Sequence, residues 1–186
     1  MKKAIILHGM PSKEEYYDPN MAAPSNMHWI PWVQRRLLLK DILAQAIELP
    51  APYKPEYTEW LKVFEQFDIE KDTILIAHSC GAGFLVRWLS ENNVSVGKVV
   101  LVAPWLDPEK KLDTDFFDFD IDPDLASKTD DLHIFVSEDD YGNVVESART
   151  IESAIKGVAV SKFMNKGHFT YEDMGSEEFP ELLSVI

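Results

Sequence analysis

The chain has 186 residues, 46% of them hydrophobic and 11% aromatic, enough apolar side chains for one globular domain spanning 1–186 with a substantial core. Its 32 acidic residues against 18 basic ones leave a formal charge of −14, a surface that repels phosphates and argues against nucleic acids and anionic membranes as partners. No apolar run approaches the roughly 20 residues that span a bilayer, and a single cysteine, Cys80, forms no internal disulfide and points to a reducing cytoplasm.

In chain order, residues 3–7 predict a buried strand that stops at His8-Gly9. The start Met1-Lys2-Lys3 opens like a signal peptide, but its apolar run is too short and no small-residue cleavage site follows. A polar loop with several prolines comes next. Helical spacing then covers residues 33–46 through Val33, Leu37, Leu38, Ile42, Leu43 and Ala46, with a short strand at 46–49 before Pro50 and Pro52. A second helical run spans 57–67, with Tyr57, Trp60, Leu61, Phe64 and Phe67. Strand 73–77 and helix 81–91 follow, then an apolar run at Val99–Val102 closed by Pro104, and another at Leu132–Val136 closed by an acidic loop. Residues 144–155 predict a helix with Gly157 as its C-cap, Val158 to Phe163 a strand, and the last residues a short helix bearing Phe179, Leu182, Leu183 and Ile186. Continuous apolar strands between amphipathic helices imply an α/β fold of three layers, a mostly parallel sheet of about six strands flanked by helices. The segment 107–124 stands apart, with eight acidic residues and Phe116, Phe117 and Phe119. It reads first as a solvated connection with aromatic anchors and second as a flap over a site.

The chemistry concentrates at residues 73–83, T-I-L-I-A-H-S-C-G-A-G. A strand that turns at once into a helix needs small residues on both sides of the apex, and Ala77 and Gly81 lie two before and two after Ser79. This is the layout of a nucleophile elbow, in which the hydroxyl stands above the C-terminal edge of a sheet. Glycine is usual at both flanking positions, so Ala77 departs by one methyl, and an ordinary strand–turn–helix with a solvated serine shows much the same pattern. Gly81-Ala82-Gly83 lacks the further glycine and the Lys-Ser/Thr pair of a nucleotide-binding turn.

A serine hydroxyl needs a histidine to take its proton, and the histidine needs an acid to set its tautomer. On this kind of sheet the chain order is serine, acid, histidine. Strand 132–136 runs into Ser137-Glu138-Asp139-Asp140, and strand 158–163 leads to Gly167-His168-Phe169. Both loops lie beyond C-terminal strand ends, where ligands bind in parallel sheets. The candidate base is His168. The candidate acids are Asp140, then Asp139, then Asp107, which follows an earlier strand. The two backbone N–H groups that would hold a developing oxyanion are those of Cys80, directly after the serine, and Met10, after His8-Gly9. Cys80 lies off the apex and reads as a small buried filler, not a nucleophile. His8 reads as structural, His78 as facing away from substrate, and His133 as paired or half-exposed. His28 either holds its loop or lines the pocket. No pair of histidines has the i, i+4 spacing of a helical metal site, so neither a metal nor another cofactor is expected.

Together the His-Gly loop at 8–9, H-W-I-P-W at 28–32, A-H-S-C-G at 77–81, S-E-D-D at 137–140 and G-H-F at 167–169 resemble the small α/β-hydrolase serine hydrolases, the family that includes retinoblastoma-binding protein nine and bacterial YdeN. The resemblance spans nearly the whole chain. It implies a compact α/β-hydrolase fold with little cap, Ser79 as nucleophile, His168 as base and Asp140 as acid. Tyr141 stands where the human relative has proline, and the Leu-x-Cys-x-Glu motif bound by the retinoblastoma protein does not fit around Cys80, which has His78 two before and Ala82 two after. The expected activity is hydrolysis of a small ester or related acyl compound through an acyl-enzyme, with His28, Trp29, Trp32 and Trp105 near the substrate. The rival expectations are a silent binding module on the same scaffold, a thioesterase or amidase using the same three residues, and, third, a flavodoxin-like nucleotide binder.

Overall fold

In the computed structural model, which describes residues 1–186, six strands pair into one sheet: β1 (Lys2–Leu7), β2 (Ile42–Ile47), β3 (Ile74–His78), β4 (Val96–Val102), β5 (Thr129–Ser137) and β6 (Ala159–Phe163). Every pairing is parallel, in the order β2-β1-β3-β4-β5-β6. Parallel strands need crossovers. Four of the five are supplied by α1 (Lys13–Tyr17) with α2 (Ile30–Leu38), α3 (Tyr57–Phe64), α4 (Cys80–Glu91) and α5 (Gly142–Ala154), and the β4–β5 crossover is irregular apart from a 3-10 turn at Leu125–Lys128. Two four-residue helices, α6 (Tyr171–Met174) and α7 (Pro180–Leu183), close the chain. The crossover from β1 moves to one side and those after β2 move to the other. Right-handed connections therefore put α2 on one face and α3, α4 and α5 on the opposite face.

Each face has its own aromatic layer. Trp60 and Phe64 of α3 meet Phe84 and Trp88 of α4, with Phe64–Trp88 ring centroids 5.0 Å apart. Elsewhere Trp29, Phe135 and Phe169 converge on Phe179 at 5.4–5.7 Å. The central strands β3 and β4 are buried almost throughout, which is why their sequences are continuous apolar runs without alternation.

The predicted helix over 33–46 divides in two. Helix α2 starts earlier, at Ile30 with Pro31 in its first turn, and ends at Leu38. Asp41, at φ 59°, turns the chain, and Ile42–Ile47 forms the edge strand β2. An edge strand buries only part of its residues, so its short mixture of exposed and buried aliphatics imitated a helical stripe. The strand expected at 46–49 is the end of this longer one. The proline-containing loop after β1 also holds more order than expected, namely α1 and a 3-10 turn at Pro24–Asn26. Ser12 caps α1 through a reciprocal box with Glu15. Helix α5 ends at Ala154 with Ile155 as its cap, and Gly157, at φ 81°, belongs to the turn beyond.

Segment 107–124 is irregular but firmly attached. Asp107 is buried and accepts from the backbone N–H groups of Lys111 and Leu112 at 2.9 and 2.8 Å. Phe116 is fully buried against Trp60, with centroids 4.9 Å apart. The buried Arg87 of α4 donates to the carbonyl oxygens of Asp115 and Phe116, pairs with Glu91 at 3.0 Å and stacks 3.7 Å from the Tyr57 ring. A buried guanidinium without partners would cost several kcal/mol. Here it is satisfied only while the segment stays in place, and this ties the segment to α3 and α4.

Candidate active site

The β3–α4 turn exists because its neighbours approach closer than a side chain allows. Ser79 sits at φ 53°, ψ −120°, a conformation that bulky residues avoid and that must be held by its surroundings. Its N–H donates to Val102 O at 2.9 Å, and its carbonyl accepts from Ala82, Gly83 and Trp105 at 3.0–3.2 Å. A Cβ on Gly81 would overlap the carbonyl oxygen of His8, and one on Gly83 would overlap that of Trp105. Glycine here serves close packing of helix against strand. Ala77, where glycine is usual, is fully buried between its register partners Leu7 and Leu101, so its methyl is packed in place.

Ser79, His168 and Asp140 form one hydrogen-bonded chain. His168 Nε2 lies 2.9 Å from Ser79 Oγ, and Nδ1 lies 3.1 and 3.0 Å from the two carboxylate oxygens of Asp140. With a carboxylate on Nδ1, the proton belongs there and Nε2 is left as the acceptor facing the serine hydroxyl. The Asp140 side chain is 0% exposed and that of His168 16%, so this contact is shielded from water. The other two carboxylates are used elsewhere. Asp139 accepts from Ser137 Oγ and from the Gly167 N–H, which hold its carboxyl below the usual range. Asp107 caps its own loop.

The serine opens into a cleft of about 700 Å³ at the C-terminal edge of the sheet, over the point where the strand order reverses between β1 and β3. Its apolar lining includes Met10, Met21, Met27, Ile30, Trp105 and Val144. Trp105 and His28 line the cleft. Trp29 and Trp32 do not. Trp29 is fully buried against His78 and Phe179, and Trp32 is half-buried beneath Arg36. Trp29 is the N-cap of α2 and Trp32 lies in its first turn. His28 both lines the cleft and accepts from the Tyr171 N–H at 3.2 Å.

The remaining histidines separate clearly. His8 is buried, donates to Gly9 O at 2.7 Å and accepts from the Leu49 N–H at 3.0 Å. His133 pairs with Ser161 Oγ at 2.8 Å. His78 does not face away from the site: its ring borders the cleft beneath His168, with centroids 4.9 Å apart, and its Nε2 donates to the His168 carbonyl at 2.8 Å. Burial pushes His78 well below the usual imidazole range, with the neighbouring His168 acting in the same direction, and burial also lowers His8 and His28. Burial raises Cys80 well above the usual thiol range, helped by Asp107, so its sulfur stays protonated. Cys80 is the first residue of α4, so its N–H has no partner inside the helix.

Sequence reading missed Ser137 and Asp173. Ser137 Oγ accepts from the Lys166 N–H at 3.0 Å, and Asp173 Oδ2 from the His168 N–H at 2.8 Å. A signal for the second was present. Thr170 and Asp173 have capping-box spacing directly after Gly167-His168-Phe169, and Thr170 does cap α6.

A parallel sheet covered on both faces, with a serine at a strand–helix elbow, defines an α/β-hydrolase, and this protein is a serine hydrolase. More narrowly, it belongs to the serine hydrolase family, whose family model matches residues 19–186. It is 25% identical over 182 residues to the YdeN protein of Bacillus subtilis (strain 168), covering 94% of this chain and 95% of the relative. The crystal structure of the ydeN gene product superposes with a TM-score of 0.79 at 24% identity, over 100% of this chain and 96% of that one. An esterase from Exiguobacterium antarcticum shares the fold at TM-score 0.65 and 14% identity, covering 100% and 91% of the two chains. A pyrethroid hydrolase from Sphingobium faniae JZ-2 does so at 0.62 and 13%, covering 99% and 94%. No helix is long and apolar enough to cross a membrane.

Proposed function

We propose that this serine hydrolase cleaves small carboxylic esters through an acyl-enzyme on Ser79. The observation that carries the reading is the unbroken hydrogen-bonded chain from Asp140 through His168 to Ser79 at the floor of the cleft. Ser79 Oγ attacks the ester carbonyl while His168 Nε2 takes the hydroxyl proton. Asp140 keeps the imidazole in the productive tautomer and stabilises the imidazolium that forms. The carbonyl oxygen, now negative, is held by the backbone N–H groups of Cys80 and Met10, the first of them at the positive end of α4. The imidazolium then protonates the departing alcohol. Water enters, loses a proton to His168 and attacks the acyl carbon; the proton returns to Ser79 as the acid leaves.

The lining of the cleft narrows the class. Its only lysine, Lys111, is tied to Glu109 at 2.8 Å, Glu15 and Glu172 add negative charge, and the buried histidines are neutral. An anionic acyl group would find no free cation, whereas the three methionines of the lining accommodate apolar groups of varied shape. Uncharged esters are the proposed substrates. The test is Ser79→Ala assayed on matched acetyl and hemisuccinyl esters beside the wild type, with fluorophosphonate labelling. We expect the wild type to prefer the acetyl ester and to label at Ser79, and the variant to lose roughly 10⁴-fold or more in kcat while folding normally. Full activity in the variant would refute the reading.

A further inference from the structure

The loop that carries His168 turns through left-handed backbone. Gly167 and Phe169, on either side of the base, both have positive φ, at 48° and 57°. Phe169 is not glycine, so its conformation persists only because its ring is fully buried among Phe163 and Phe179. The backbone of the loop is gripped by side chains from several other elements. Consecutive N–H groups of Lys166, Gly167 and His168 donate to Ser137, Asp139 and Asp173. The carbonyl of His168 accepts from His78 Nε2, so the residue that carries the imidazole is held at both its N–H and its C=O.

We infer that His78 and Asp173 are positioning residues, which together fix the His168 backbone so that Nε2 meets the Ser79 hydroxyl and Nδ1 meets Asp140 at the same time. His78 is suited to this. It directly precedes Ser79 in the chain, so one rigid strand end sets the nucleophile and, through its neighbour's ring, the height of the base. Neutral imidazole with the proton on Nε2 donates once, to a carbonyl it cannot repel. Asp173, from the helix after the loop, holds the other side and is itself locked by Thr170, whose hydroxyl donates to it at 2.9 Å. Neither residue contacts the serine hydroxyl. Their effect is geometric, and a displacement near 1 Å in a reacting group costs on the order of a hundredfold in rate.

The inference rests on the proposed roles of Ser79 and His168, and the experiment separates the two. Four variants are compared with wild type: His78→Met and Asp173→Ala, which remove the grip, and His78→Gln and Asp173→Asn, which keep a donor and an acceptor at nearly the same place. The expected result is a fall of about tenfold to a hundredfold in kcat on a neutral ester, with KM unchanged, for the first pair. Most of the rate returns in the second pair. The low-field NMR resonance of the His168 Nδ1–H should broaden in the first pair and persist in the second. Asp173 is exposed, so its variants stay folded even where a change at the buried position 78 does not. Wild-type kcat and an unaltered resonance in Asp173→Ala would overturn the inference, as would equal impairment in each removing variant and its conservative partner. If the wild type cleaves no ester, the esterase reading fails, while the resonance still decides whether His78 and Asp173 position the imidazole.

Discussion

The turn that presents Ser79 and the turn that presents His168 face each other across one cleft but are built by opposite means. The serine turn is held by backbone: its N–H and C=O pair with neighbouring main chain, and glycines at 81 and 83 let carbonyl oxygens come into contact. The histidine turn is held by side chains reaching in from Ser137, Asp139, Asp173 and His78. The first fails by steric overlap and the second by loss of hydrogen bonds. The two turns meet through His78, which precedes Ser79 and donates to the His168 carbonyl.

The adjacent carboxylates give the sharpest test of this contrast. Asp140 touches the imidazole itself, whereas Asp139 touches only the backbone that carries it. Asp140→Asn should cost roughly 10⁴-fold in kcat, the scale for a wrong tautomer, and Asp139→Asn far less. Steady-state kinetics of both variants would break the comparison if the ranking reversed. The steric side is tested by Gly81→Ala. Its methyl must displace the His8 carbonyl, and we expect a loss of about 1–3 kcal/mol in denaturant unfolding. The same change at Gly142, where a Cβ meets nothing within 4 Å, should leave stability nearly unchanged.

A smaller effect, graded with pH, comes from the histidines packed around the serine turn. His8 and His78 have lowered pKa values chiefly because they are buried. At pH 7.5 they are largely uncharged in both folded and unfolded chains and contribute little. Below about pH 6.5 the unfolded chain takes up protons that the folded one refuses. Stability therefore falls as pH drops, by up to about 1.4 kcal/mol per histidine for each pH unit. Urea midpoints at pH 7.5 and 5.5 should differ accordingly. Replacing His8, whose ring is engaged with Gly9 and Leu49, should reduce the slope; an unchanged slope would assign the pH dependence to other groups.

Legibility followed the range of the forces involved. The strand–turn–helix around Ser79 could be read because its determinants lie within ten residues: an apolar run, small residues and an amphipathic helix. The division at Asp41 could not, since an edge strand with exposed Leu43 and half-buried Ala46 has the same short pattern as a helix. The tryptophans misled for a related reason. Trp29 and Trp32 stand close to the cleft residue His28 in sequence, but His28 lies before α2 at φ 56°, and Trp29 and Trp32 pack elsewhere. Asp139 and Asp140 differ by a single step, and nothing local tells which carboxylate turns inward.

The sequence alone determined the succession of the six strands, the sharp turn at Ser79 and the order of hydroxyl, carboxylate and imidazole along the chain, because hydrophobic periodicity and turn chemistry act over a few residues. The tertiary structure alone decided that Asp140 reaches the imidazole, that His78 lies beneath His168, and that Asp173 and Ser137 hold the histidine loop. Those contacts join residues as many as 90 positions apart, and they form only once the packed sheet has brought its strand ends to one edge.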